Sequence, residues 1–186
     1  MTTTPRMKWE GVTREERFFT SMLFHDMRMD CGPMLDLLIA KLHLPKRAAI
    51  TDMGYEVCFF RDAAFRGLIE RYLKLEKQTF DLTLVLNNQH MVLIEAKAQQ
   101  PFASKQLENL LLAKSEIEGG KLWGSETVNL VALYSSLYRP RATTLEGFCA
   151  TIKWDEIAEV YSGNQDTYLR ANALYAEKPQ YLLPEA

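Results

Sequence analysis

The sequence predicts a single α/β domain with a β-hairpin at its centre, and three observations carry that expectation. Two apolar runs, "FDLTLVL" from Phe80 and "MVLIEAK" ending at Lys97, flank a short polar turn, Asn87-Asn88-Gln89. Segments on both sides carry apolar residues at helical spacing, and "TVNLVALYSS" has the make-up of a buried strand. With 186 residues and 47% hydrophobic content, the chain can build one well-cored domain but not two ordinary ones.

Taken in order, "TREERFFTSMLFHDMR" predicts an amphipathic helix. Thr13 is placed to cap it and Glu16 to complete a capping box, with Phe19, Leu23 and Met27 on one face that Glu16 continues. "GPMLDLLIAKLHL" predicts a second helix, with Pro33 near its start and Pro45 past its end. "YEVCFF", Tyr55 to Phe60, predicts a strand, and Asp62 to Leu75 returns to helical spacing. After the hairpin and Pro101, "FASKQLENLLLAKSEIEGG" predicts a helix through Leu107, Leu110 and Leu111, ended by Gly119 and Gly120. "TVNLVALYSS" and "ATIKW" follow as strands. "DEIAEVY" then opens a helix that Asp155 could cap, and a closing helix is expected at about 165–178, beyond a core of about 13–161.

A net charge of −2 and a pI near 6.0 give no global attraction to polyanions, so a nucleic-acid partner must meet a local basic face. Cys31, Cys58 and Cys149 form neither a CxxC pair nor a disulfide framework. With no apolar leader or membrane-length run, they predict a soluble cytoplasmic protein without membrane contact. His25, His43 and His90 lack metal-ligand spacing, and "GGKLWG" lacks the ending of a phosphate loop.

Strand alternation sets the hairpin's faces. Leu82, Leu84 and Leu86 share one side, as do Val92, Ile94 and Ala96, and both aliphatic sets must face the same core. A three-residue turn achieves this by pairing Leu84 with Val92 and Leu82 with Ile94, which sets Asp81 opposite Glu95. Like charges so placed, with Cβ atoms about 5 Å apart, are destabilising. A divalent-cation site gives a reason to accept them. Two carboxylates with the Ala96 carbonyl nearby are hard oxygen donors suited to Mg²⁺, and Lys97 projects from the same face.

These residues resemble the PD-(D/E)xK, or restriction-endonuclease-like, nuclease superfamily. The resemblance rests on "FD" at Phe80-Asp81, "IEAK" at Ile94 to Lys97, a following helix bearing "KQLE", and Glu16 on the first helix. It also rests on the order helix, strand, hairpin, helix, strand, and it spans roughly residues 13–134. It implies a restriction-endonuclease-like mixed sheet of four to five strands flanked by helices. It further implies hydrolysis of phosphodiester bonds with Mg²⁺ or Mn²⁺, with DNA as the expected substrate. Asp81 and Glu95 would be metal ligands, Lys97 the activator of water or the charge stabiliser, Glu16 a further ligand with Glu15 its competitor, and Gln106 an orienting residue. Phe80 stands where the motif's name has proline, and the segment from Asp62 to Leu75 is extra, leaving the sheet order open.

Plainer readings stand beside these. Asp81, Glu95 and Lys97 could be a surface hairpin end, Glu16 a capping residue, and Gln106 a solvated helix position. Arg61, Arg66, Arg71, Lys74 and Lys77 could form a ridge on a nucleic-acid backbone, but Asp62, Glu70 and Glu76 balance them. Lys105, Lys114, Arg139 and Arg141 have still less support singly. Tyr161, Tyr168, Tyr175 and Tyr181 read as core or interface residues, and Tyr161, Leu169 and Leu174 mark a candidate homodimer surface. The alternative to an enzyme is a catalytically inactive module of the same fold that docks a basic partner or nucleic acid.

Overall fold

The computed structural model describes residues 16–70, 75, 77–87, 90–119 and 127–176. Its centre is one five-stranded mixed sheet in the order β1 (Ile50–Val57), β2 (Phe80–Leu86), β3 (His90–Lys97), β4 (Thr127–Tyr134) and β5 (Ala150–Lys153). The first three strands form an antiparallel meander, and β4 and β5 continue parallel to β3. Around them lie α1 (Glu16–Met29), α2 (Gly32–Leu42), α3 (Phe59–Phe65), α4 (Ser104–Gly119), α5 (Ala142–Leu145), α6 (Trp154–Val160) and α7 (Gln165–Ala173). The segment between β1 and β2 leaves strand order undisturbed, which answers the question that the Asp62–Leu75 insertion raised.

Each face of the sheet has its own core. On one, Leu82, Leu84, Leu86, Val92, Ile94 and Ala96 pack with Phe19, Leu23 and Met27 of α1, Met34 and Leu38 of α2, and residues of α6 and α7. On the other, Met91, Leu93, Val128 and Leu130 pack with Leu110, Ala113 and Ile117 of α4 and with Phe59 and Phe60. The observed register joins Leu82 to Ile94 and Leu84 to Val92, as the alternation requires. A slip of one residue would take the fully buried Leu82, Leu84, Val92 and Ile94 out of their core. At about 1.5–3 kcal/mol for each large aliphatic side chain, that loss rivals the whole stability of a domain.

Helix α1 takes its stripe from Phe19, Leu23 and Met27, with Thr20 bonded back to the Glu16 carbonyl at 3.2 Å. Helix α2 ends at His43, whose left-handed φ of 53° lets its N–H reach the Ile39 carbonyl. The cap expected from Thr13 lies outside the described residues.

Four expectations need correction. The first strand covers Ile50–Val57, so Phe59 and Phe60 belong to α3. As an edge strand with mostly half-exposed residues it shows little alternation, and the aromatic run that drew attention is helical. Second, the helix expected to run to Leu75 stops at Phe65. Gly67, with φ of 68°, donates to the Ala64 carbonyl and Leu68 to that of Ala63, a glycine-based stop. This breaks the ridge proposed from Arg61 to Lys77; Arg61 pairs with Asp62, and Arg71 and Lys74 lie outside the described residues. Third, Lys153 rather than Asp155 caps α6, its N–H bonded to Glu156 Oε2 at 2.8 Å. Fourth, Tyr161 and Leu174 are buried in their own core, leaving only Leu169 exposed on the suggested dimer surface.

The closing helix is shorter than expected, with turn residues from Leu174 to Ala176, and Tyr181 lies outside the described residues. Among the described residues Cys31, Cys58 and Cys149 are free thiols, and no helix is long and apolar enough to cross a membrane.

Candidate active site

Hydrogen-bonded pairing of β2 with β3 ends at Leu82 and Ile94, whereas β3 stays paired with β4 as far as Lys97 and Tyr134. Just beyond that last β2–β3 pair, the Ala96 N–H donates to Asp81 Oδ2 at 2.7 Å. A carboxylate thus stands where a strand carbonyl would otherwise be. The register places Asp81 level with Glu95, at the carboxyl ends of the parallel strands, where α/β sheets commonly bind ligands.

Lys97 gathers the remaining groups. Its Nζ donates to Glu95 Oε1 at 2.7 Å, to the Ala96 carbonyl at 2.9 Å and to Glu16 Oε1 at 3.1 Å. The other oxygen of Glu16 accepts the Ala98 N–H at 3.1 Å, which ties the start of α1 to the end of β3. Gln106, on the first turns of α4, donates through Nε2 to Glu95 Oε1 at 2.5 Å. Four elements therefore meet here: α1 brings Glu16, β2 Asp81, β3 Glu95 and Lys97, and α4 Gln106. All five candidates from the sequence converge; Glu15 lies outside the described residues.

Burial makes this cluster electrostatically demanding. Glu95 is 3% exposed and Lys97 8%. Loss of solvent lifts the Glu95 carboxyl to about 8, reinforced by Asp81 and opposed by Lys97. Asp81 rises to about 6, again chiefly through burial, with the Ala96 amide opposing and Glu16 and Glu56 adding to the rise. For Lys97, burial favours proton loss, but Glu95 and Glu16 outweigh it and hold the ammonium charged. One lysine cannot balance three ionised carboxylates, so Lys97 keeps its proton and the buried acids, Glu95 above all, hold on to protons of their own.

The donor set suits a hard divalent cation in kind and in charge. Glu16, Asp81, Glu95 and the Ala96 carbonyl are all oxygen ligands, and such an ion would take the place of the protons that the buried acids otherwise hold. Among the described residues no three acidic, histidine or cysteine side chains already form a cation cage. The Lys97 ammonium instead bridges Glu95 and Glu16.

Two participants escaped the sequence reading. Trp154, fully buried where β5 meets α6, donates its indole N–H to the Lys97 carbonyl at 3.1 Å. The indole stacks on Tyr168 at 6.2 Å and 7°. Glu56, near the end of β1, pairs with Arg17 at 2.7 Å and adopts a φ of 50°, a conformation that is uncommon for residues other than glycine. Neither lies near the motif in sequence. The one available signal was a lone tryptophan closing "ATIKW". A groove of about 730 Å³ beside α4, lined by Leu107, Leu111, Lys114, Glu118, Gly147 and Cys149 among others, includes none of Glu16, Asp81 and Glu95.

Comparison with family models, with curated proteins and with solved structures gives no match to this chain. The geometry above defines it as an α/β protein with a five-stranded mixed sheet and a buried cluster of acids, lysine and glutamine.

Proposed function

We propose that this protein is a divalent-metal-dependent nuclease of the PD-(D/E)xK kind, hydrolysing phosphodiester bonds in DNA. The observation that carries the reading is the meeting of Glu16, Asp81, Glu95, Lys97 and Gln106 from four separate elements at one end of the sheet. The order α1, β1, hairpin, α4, β4 also supports it, being the order on which the resemblance rests.

Asp81 and Glu95, with the Ala96 carbonyl and Glu16, would hold Mg²⁺ or Mn²⁺. Such an ion supplies Lewis acidity toward a phosphodiester oxygen and an attacking water. Lys97 keeps its proton at neutral pH, so it serves as a fixed positive charge toward phosphate oxygens, not as a base. Gln106 fixes one oxygen of Glu95, and the Ala96 amide fixes Asp81, so both carboxylates are oriented before substrate arrives. In the reaction, water adds to phosphorus, one P–O ester bond breaks, and the released oxygen gains the proton that the water loses.

A second reading has one observation in its favour. Lys97 satisfies Glu95 and Glu16 without any cation, as the acid end of a non-catalytic docking module would. Incubation of single-stranded and duplex DNA with Mg²⁺, Mn²⁺ or EDTA separates the two. Metal-dependent cleavage by the wild type, lost in Lys97→Ala and Asp81→Ala, is the expected result. Absence of both cleavage and metal binding in a folded preparation leaves the docking module.

A further inference from the structure

Across the parallel strands, Lys97, Tyr134 and Lys153 are successive ladder partners. Side chains in register on neighbouring strands share a face, and strands lie about 4.8 Å apart, so Lys153 stands about 10 Å from Lys97 along one row. The Lys153 ammonium lies over the Tyr134 ring, 3.1 Å from its centroid. Its natural counter-ion is engaged elsewhere. Glu156 takes Lys41 on one oxygen at 2.5 Å and the Lys153 backbone N–H on the other at 2.8 Å.

Arg139, which follows β4 and is exposed, is anchored by its Nη1 to the Ser136 carbonyl at 2.8 Å. Among the described residues neither Lys153 nor Arg139 makes an ion pair. Lys41 and Arg139 are each close enough to Lys153 to act on it. Burial lowers Lys153 to about 8, and Lys41 and Arg139 deepen the fall against Glu156 and Asp155. A lysine without a task would extend into water. This one is folded over an aromatic ring, in line with the acid site and short of an anion.

We propose that Lys153 and Arg139, backed by Lys41, form a phosphate-contact site that holds the backbone of a bound nucleic-acid strand beside the acid cluster. The assignment rests on the nuclease reading and adds to it the direction in which the strand leaves the site, from β3 toward β5. Contact is to phosphate, so DNA and RNA strands of one sequence should lose affinity alike when the site is removed.

The test is equilibrium binding of a short labelled strand, as DNA and as RNA, in Ca²⁺ and in EDTA, with KCl titrated. Lys153→Met keeps the side chain's packing over Tyr134 and removes its charge; Arg139→Gln alters only an exposed position. Each should reduce the slope of log affinity against log salt by about 1 and weaken binding several-fold to tenfold near 0.1 M salt. Lys46→Gln, at the opposite end of the sheet, should match wild type. Unchanged slopes for both variants, with wild type still binding and cleaving, would overturn the phosphate site and leave the nuclease standing. Reduced slopes without cleavage by wild type would keep the site and remove the enzyme. A wild type that binds neither strand in either condition removes both.

Discussion

The carboxylate of Asp81 is bonded to the main chain of Ala96, its Oδ2 accepting the amide at 2.7 Å, so one side chain both ends a strand ladder and begins a candidate ligand set. The two roles separate by substitution. Asp81→Asn retains an acceptor for the Ala96 N–H and discards a buried charge, so at pH 8 it should be more stable than wild type by roughly 1–2 kcal/mol. Asp81→Ala strands that amide and should fall below Asp81→Asn by about 1–3 kcal/mol. Nuclease activity should drop about 100-fold or more in both. Denaturant unfolding beside the cleavage assay gives the answer, and an Asn variant weaker than wild type at pH 8 contradicts the charge argument.

Stability without added metal should fall as pH rises. Asp81 and Glu95 have folded-state values of about 6 and about 8, above their ordinary values of 3.8 and 4.5. Between those limits the folded chain binds more protons than the unfolded chain, and the slope of unfolding free energy with pH is negative. The contribution is full near pH 4 and gone once pH has passed 8. Melting temperatures across this range should decline in EDTA, and saturating Mn²⁺ should restore them at the alkaline end by binding the folded state alone. Asp81→Asn and Glu95→Gln should each flatten the profile; a wild-type profile that rises through the window refutes the assignment.

Lys97→Met removes the one positive charge shared by Glu95 and Glu16 and leaves two partly buried acids unpaired. Loss of one partner from a buried pair costs about 3–5 kcal/mol, and the deficit should shrink toward pH 5, where Glu95 is protonated in either protein. Measurement of the deficit at pH 5 and pH 8 separates charge from packing, since a pH-independent loss would mean that the methylene stem matters more than the ammonium.

Trp154→Phe preserves an aromatic ring against Tyr168 and deletes the N–H that holds the Lys97 carbonyl. An unpaired carbonyl should cost about 1–3 kcal/mol. As the strand end that carries Lys97 loosens, kcat should fall about tenfold with KM nearly unchanged. A rise in KM alone would assign the indole to substrate binding instead.

The sequence disclosed the hairpin because the period of two is strict there: Leu82, Leu84, Val92 and Ile94 admit one register, and that register brings Asp81 level with Glu95. The α1 stripe was equally plain from Phe19, Leu23 and Met27. Strand β1 was misplaced because an edge strand buries little, and its most apolar neighbours, Phe59 and Phe60, pack from a helix. The helical spacing from Asp62 to Leu75 masked the stop at Gly67, whose left-handed backbone ends that helix. Gln106 was marked only through the resemblance, by its place in "KQLE", since its sequence neighbours read as a solvated helix face and only folding brings it to Glu95. Trp154 was hidden for the same reason: its partner lies 57 residues away.

Distance along the chain also dictates the order in which this site can come into being. Asp81, Glu95 and Lys97 belong to one hairpin, a unit that forms on the microsecond scale and closes only a short loop. The Lys97 contact to Glu16 spans 81 residues, so its loop-closure entropy is met only when α1 docks on the finished sheet. A chain with a formed hairpin and an undocked α1 has two acids and a lysine but no Glu16. The full acid set is therefore a property of the folded tertiary structure, and a truncated or half-folded chain would lack it.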